Sequence, residues 1–416
     1  MISKTKTPLL FLGLLVSLLY MLFYAYDYFL QTSFSILPES FIIKHGITTE
    51  SFGFLSAAFF YGYVIFQIPL GYCLDKISLK YTAILCAACC ALGTALFQYA
   101  DSFSLLFLAR FMIGAGTACA CVMSVYAVSM WLSPRYFFIG VGAVQVAGCL
   151  GSIFGQAIGA YFTAHFGWDF TIHLIIYIGI ALLLIYCFIP KKSPYQNVIE
   201  EPVHFTQLPK LILNKQIIII ALLGFVSWAP VSVLAATWLV RLLHQGAGRW
   251  TESDAATLLS AFWIGLAIAS LLIGKFSNYI KSRKKTVAIA FIVQGICAVI
   301  LASSTNLTPI QLGIILFLLG TAASVQTLSF VLTAESINLN VYGTAAALVN
   351  MTAASSGGVI NPIFGIIIAH TGSYQSALWV FPALSLIGIV MALFALKETY
   401  ADTLSSSELI KAEYVE

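Results

Sequence analysis

One acid, Asp27, and one deeply placed base, Arg110, lie inside long apolar stretches of this 416-residue sequence. Insertion scales put the cost of a charge at mid-bilayer at about 2.5–3.5 kcal/mol, so each calls for a partner or a task. Asp27 stands about eight residues from the far end of its stretch and Arg110 about six, which at 1.5 Å per residue gives depths of roughly 12 and 9 Å. The two are therefore expected nearly level, facing one chamber and sensing each other directly or through a solute. A carboxylate with a base in reach ionises readily, and one alone in apolar surroundings takes up a proton. Alternation between those states would couple proton movement to a change of shape. A fixed structural ion pair, or a simple anchoring role for Asp27, are the plainer alternatives.

Other polar and aromatic residues recur on the same helical faces. Tyr20, Tyr24, Asp27 and Gln31 form one stripe, and Arg110, Thr117, Cys121 and Ser124 form another. Further on, Trp228 and Ser232 share a face, Ser227, Trp238 and Arg241 share a second, and Gln326, Ser329 and Thr333 make a third group. Aromatic rings with a few hydrogen-bonding groups are the usual lining of a pocket for a small polar solute. The candidate binding set is Tyr24, Asp27, Gln31, Tyr61, Arg110, Trp228, Ser232, Trp238 and Gln326. For the two tryptophans, packing or an interfacial position is the competing explanation. Glu335, near the end of its stretch, reads as a gating or topological residue.

The elements that position these residues follow from composition. With 60% of residues hydrophobic and 9% charged, the chain has too little polar surface for a soluble protein. Apolar stretches long enough to cross roughly 30 Å of hydrocarbon recur throughout. Twelve spans are expected near 8–35, 51–72, 81–100, 104–131, 138–162, 169–189, 213–242, 254–276, 286–304, 309–335, 343–369 and 376–396. Residues 191–212 form a polar, proline-containing linker between a first half, 1–190, and a second, 213–400; residues 401–416 form a tail.

A cytoplasmic N-terminus places 16 of the 20 Lys and Arg residues on the inner side, leaving Lys44 and Arg249 outside and Arg110 and Arg241 within spans. That asymmetry predicts both termini inside. The nine cysteines fall in or at the ends of apolar spans, where small core residues are the plain reading; Cys86 and Cys89, three apart, are the one pair with metal-like spacing. No metal site and no cofactor is expected.

The halves repeat each other. Gly71 matches Gly274 and Gly140 matches Gly343 at a spacing of 203, while Ala164-His165-Phe166-Gly167 echoes Ala369-His370-Thr371-Gly372 at 205. Pro230 stands 203 residues after Asp27, so a bend is expected where the first half has a charge. The stretch from Gly53 to Lys76, ending Gln67-Ile-Pro69-Leu-Gly71-Tyr-Cys-Leu-Asp75-Lys76, and the run Arg110-Phe-Met-Ile-Gly114-Ala-Gly116 resemble motifs of the Major Facilitator Superfamily. Ser78 stands where that family usually has glycine, and Asn278 replaces the acid in the second-half copy.

The resemblance implies an all-α membrane protein of 12 transmembrane helices in two pseudo-symmetric six-helix bundles, working by alternating access as a monomer. Gly71, Asp75, Lys76 and Lys80 would then form the inner gate, with Gly71 allowing close helix approach and Asp75 latching the halves. Gly148, Gly151, Gly155 and Gly159 of the fifth span read as a packing stripe; the Gly-Pro step common in drug antiporters is absent.

The segment YAYDYFLQTSFSILPE resembles nutrient-uptake members from bacteria living inside host cells, including phagosomal (Pht-type) amino-acid transporters and siderophore importers. The implied role is proton-coupled import of a small polar or anionic solute across a bacterial inner membrane. Siderophore transport and drug efflux are the alternatives. No enzyme motif, nucleotide-binding loop or nucleic-acid partner is indicated.

Overall fold

The computed structural model describes residues 6–191, 208–246, 250–304, 306–337 and 341–400. Among the described residues, twelve helices are long and apolar enough to cross a membrane. They are α1 Leu10–Ile36, α2 Thr49–Leu74, α3 Leu79–Tyr99, α4 Phe103–Trp131, α5 Ile139–Phe166, α6 Trp168–Phe188, α7 Lys215–Gly246, α8 Glu252–Ile280, α9 Arg283–Ser303, α10 Pro309–Ser336, α11 Tyr342–Thr371 and α12 Tyr374–Ala395. All twelve sequence spans are present. The largest end differences are at α5, α7 and α8, which run four residues further. The expected linker is helical at its end, Leu208–Ile212, and the tail lies outside the described residues. No strand occurs among the described residues.

Helix starts are marked by side-chain caps. Thr48, Ser102, Thr251 and Ser282 each accept a backbone N–H three residues on, and Thr308 forms a reciprocal capping box with Gln311. Gly167 and Gly372, matched in the repeat, follow α5 and α11 with φ of +84° and +65°, backbone values that side chains disfavour.

The two halves share one internal plan. In the first, α1 packs on α5, α2 on α4 and α3 on α6; in the second, α7 packs on α11, α8 on α10 and α9 on α12. The glycine stripe of α5 lies against α1: a Cβ at Gly151 would collide with the Ala25 carbonyl, and one at Gly155 with Thr32 and Phe29. Gly114 of α4 meets the Phe59 carbonyl of α2 in the same way. Small residues here bring two backbones together, which is how apolar helices gain contact energy in lipid.

Across the halves, α2 faces α11 and α5 faces α8. The turn joining α1 to α2 marks the distal end of the bundle, and the end bearing the chain termini is proximal. A π-helical stretch opens at Pro230 and runs to Trp238, so the expected bend is a local widening of α7. A second π turn spans Phe154–Ile158 of α5.

Candidate functional site

A cavity lies between the halves. From α1 it receives Tyr24, Asp27, Tyr28 and Gln31, and from α2 Phe59, Phe60 and Tyr63. The second half contributes Trp228 of α7, Gln326, Thr327 and Phe330 of α10, and Asn350 of α11. Cys121 of α4 and Gln145 of α5 complete the polar part of the wall. Five of the nine residues expected from the sequence are thus brought together: Tyr24, Asp27, Gln31, Trp228 and Gln326.

Asp27 is the acid in this wall, and it is 2% exposed. The Thr117 hydroxyl stands beside its carboxyl, yet Oδ1 has no hydrogen-bond partner. The Gln326 amide is half-used: its Oε1 accepts from Ser227 at 3.1 Å while Nε2 is unpartnered. The Tyr24 hydroxyl donates to Tyr28 at 3.3 Å. An unpaired acceptor and an unpaired donor on opposite walls are groups that a polar solute can satisfy.

Four expected residues lie elsewhere. Arg110 does not meet Asp27. Its Nη1 donates to the Leu30 carbonyl at 3.2 Å, and its guanidinium sits 4.4 Å from the Phe34 ring centre and 5.1 Å from that of Phe59. Thr117, the residue beside Asp27, is seven positions along α4, roughly 10 Å further in; counting residues from helix ends gave both charges one depth, whereas they occupy different layers.

Tyr61 is half-buried against Gly358 of α11, and Tyr63, which shares a face with Phe59 and Phe60, lines the cavity instead. Ser232 is tied to Ser356 of α11 at 2.8 Å. Trp238 donates its indole N–H to Asn361 at 2.9 Å and lines a distal cavity with Arg241 and Tyr374.

The cavity is roofed on its distal side. The Gln156 amide donates to the Ala235 carbonyl at 2.7 Å and to Ser35 at 3.1 Å, and it accepts from the Trp263 indole at 2.7 Å. Further out, Ser56 bonds Thr237 at 2.8 Å, Arg241 donates to the Leu37 carbonyl at 2.9 Å, and Gln245 donates to Glu39 at 2.9 Å. Apart from the Gln156–Ser35 bond, which lies within the first half, these bonds join one half to the other.

The proximal end is arranged differently. A Cβ at Gly71 or Gly274 would meet nothing within 4 Å, so the close approach expected at Gly71 is absent in this arrangement. Lys76 is exposed, and Lys80 donates to the Cys187 carbonyl of its own half at 2.8 Å. The Asp75 side chain lies outside the described residues.

In the second half, Arg283 pairs with Glu335 at 2.7 Å and donates to Asn278 at 2.7 Å. Burial alone would raise the Glu398 carboxyl, but hydrogen bonds from Ser282 and from the N–H groups of Arg283, Tyr400 and Lys284 outweigh it and hold the group below its ordinary range. Cys86 faces Cys119 at 3.7 Å while Cys89 donates to the Met112 carbonyl, so these two thiols serve different contacts.

The sequence matches the family model of the Major Facilitator Superfamily over residues 9–352 and 217–415. The chain belongs to the Major Facilitator Superfamily. A protein named for metabolite transport, NicT of Pseudomonas putida, is 24% identical over 374 residues, covering 80% of this chain and 82% of its own. A D-xylose–proton symporter has the same fold, with TM-score 0.76 at 15% identity, over 92% of this chain and 98% of its own. The nucleoside transporter NupG superposes with TM-score 0.74 at 14% identity, over 93% and 100%. This superfamily member is accordingly a multi-pass membrane transporter, and its chemistry is that of carriage, not of bond making.

Proposed function

We propose that this transporter imports a small polar solute together with protons, with Asp27 as the group that carries the proton. The observation behind this reading is a buried carboxyl with an unpaired oxygen on the wall of the chamber between the halves. Proton-coupled carriers need one group whose charge depends on its surroundings, and Asp27, on the wall between the halves, would meet different surroundings as they rock. The lysine and arginine distribution supports cytoplasmic termini in a bacterial inner membrane. In that orientation the bonded distal end is the outer gate, and the chamber faces the cytoplasm. Each chain holds a whole chamber, which supports a monomer as the working unit.

The wall also narrows the solute. It holds one carboxylate and no Lys, Arg or His, so a neutral or cationic solute fits better than the anion that an Asp27–Arg110 pair would favour. Amides of Gln31, Gln145, Gln326 and Asn350 would read hydroxyl or amine groups, and the aromatic faces would cover the apolar part.

The test is uptake into proteoliposomes under an imposed pH gradient. Asp27→Asn is expected to abolish gradient-driven accumulation while leaving solute counterflow. Accumulation that still follows the gradient in Asp27→Asn removes Asp27 from the coupling. The unpaired Oδ1 favours one second reading, export of a cation in exchange for protons, because a lone carboxylate can hold either but not both. Accumulation in inverted vesicles instead of whole cells would select it.

A further inference from the structure

Arg110 does not line the chamber between the halves, and no acid pairs with it among the described residues. The ion pair found among the described residues joins Arg283 to Glu335, far from this position. Arg110 is 3% exposed, and its Nε has no acceptor. It lines a second, smaller cavity within the first half, between α1, α3, α4 and α6. Trp168, the first residue of α6, lines the same cavity, and its indole N–H likewise has no acceptor. The hydroxyls in this wall are occupied: Ser33 donates to the Leu30 carbonyl at 3.3 Å and Thr94 to the Cys90 carbonyl at 2.8 Å. Two unused N–H donors, one of them on a buried cation, therefore border one small space.

A buried charge persists where a counter-charge and hydrogen bonds compensate it, and the protein supplies no counter-charge here. We propose that this cavity is a binding site for a weakly hydrated monovalent anion of chloride size, held by Arg110 and Trp168. Apart from the Ser33 and Thr94 hydroxyls, the remaining wall is phenylalanine, leucine and isoleucine, so a strongly hydrated or doubly charged oxyanion would keep most of its oxygens unsatisfied. Trp168 also borders a surface cleft at the distal end together with Lys44 and Asp169. Asp169 is engaged with Gln98 at 2.8 Å, whereas Lys44 is exposed. The bound ion would tie α4 to the start of α6 and brace the first half beside α1. It is separate from the transported solute, and it does not depend on the coupling scheme above.

The experiment is thermal unfolding of the purified full-length protein while sodium chloride replaces sodium gluconate at constant ionic strength. Tm is expected to rise saturably with chloride and with bromide. Trp168→Phe keeps the ring and removes one donor, so its half-saturating chloride should rise about tenfold. Arg110→Gln should lose the response altogether. Crystals grown in bromide should show an anomalous peak beside the Arg110 guanidinium. Equal Tm in chloride and gluconate, or a Trp168→Phe titration matching the unaltered protein, overturns the site. The second criterion holds even if Arg110→Gln does not fold.

Discussion

The indole N–H of Trp263 in α8 donates to the Gln156 side chain of α5 at 2.7 Å, joining the two halves above the transport chamber. Gln156 spends its other hydrogen bonds on Ser35 and the Ala235 carbonyl, so one amide fastens α1, α7 and α8. A buried polar group left without a partner costs about 1–3 kcal/mol. Gln156→Leu orphans the Trp263 indole and should shift the population toward a distally open form by about tenfold or more. Unnatural-amino-acid spin labels at exposed Lys44 and Thr251 would report it as a longer interlabel distance. A distance distribution identical to that of the unaltered protein would show that the roof closes without Gln156.

The Arg283–Glu335 pair is expected to carry much of the stability of the proximal end of the second half. Both side chains are largely buried, at 7% and 10% exposed. Glu335→Gln leaves the guanidinium uncompensated, and loss of one member of such a pair costs about 3–5 kcal/mol. Unfolding in detergent should move to clearly lower temperature; no change would mean the pair is solvated in solution.

Gly151→Val tests the α1–α5 contact. Its side chain would enter the space held by the Ala25 carbonyl. Overpacking of this type costs about 1–3 kcal/mol, and more where backbone must move. The yield of monodisperse protein on size exclusion should fall, whereas the same change at Gly71, which faces open space, should be tolerated in this conformation.

Glu398 supplies a pH signature. Its carboxyl is held below the ordinary range, so its contribution is fully present above the unfolded-state value of about 4.3 and is lost as pH falls through the lower folded value. The difference in unfolding temperature between the native protein and Glu398→Gln should stay level from neutral pH down to about 5 and shrink only below about 4.3. A difference that vanishes near pH 6 would rule this origin out.

Much of this was legible in the sequence, for identifiable reasons. Spans announce themselves because hydrocarbon thickness fixes their length, and Tyr24, Asp27 and Gln31 share a face because α1 is regular there. Arg110 was misplaced because a residue count gives depth along one helix but neither the direction of a long side chain nor where the neighbouring helix is anchored. Ser232 and Trp238 were misplaced for a different reason. The π stretch beginning at Pro230 changes the residues per turn, so faces read at 3.6 per turn stop applying beyond it. Tyr63 was missed in favour of Tyr61; the signal available was its spacing of three and four from Phe60 and Phe59.

With Arg110 in another compartment, the electrical character of the transport chamber rests on a single carboxyl. An ionised, empty chamber carries one negative charge, and a protonated one carries none. Displacing a full elementary charge through 100 mV amounts to about 2.3 kcal/mol. Under the proposed coupling and orientation, an interior-negative voltage pulls the ionised chamber toward the outside and leaves the protonated chamber indifferent, so the residue proposed to carry the proton would also set which half of the cycle responds to the membrane battery.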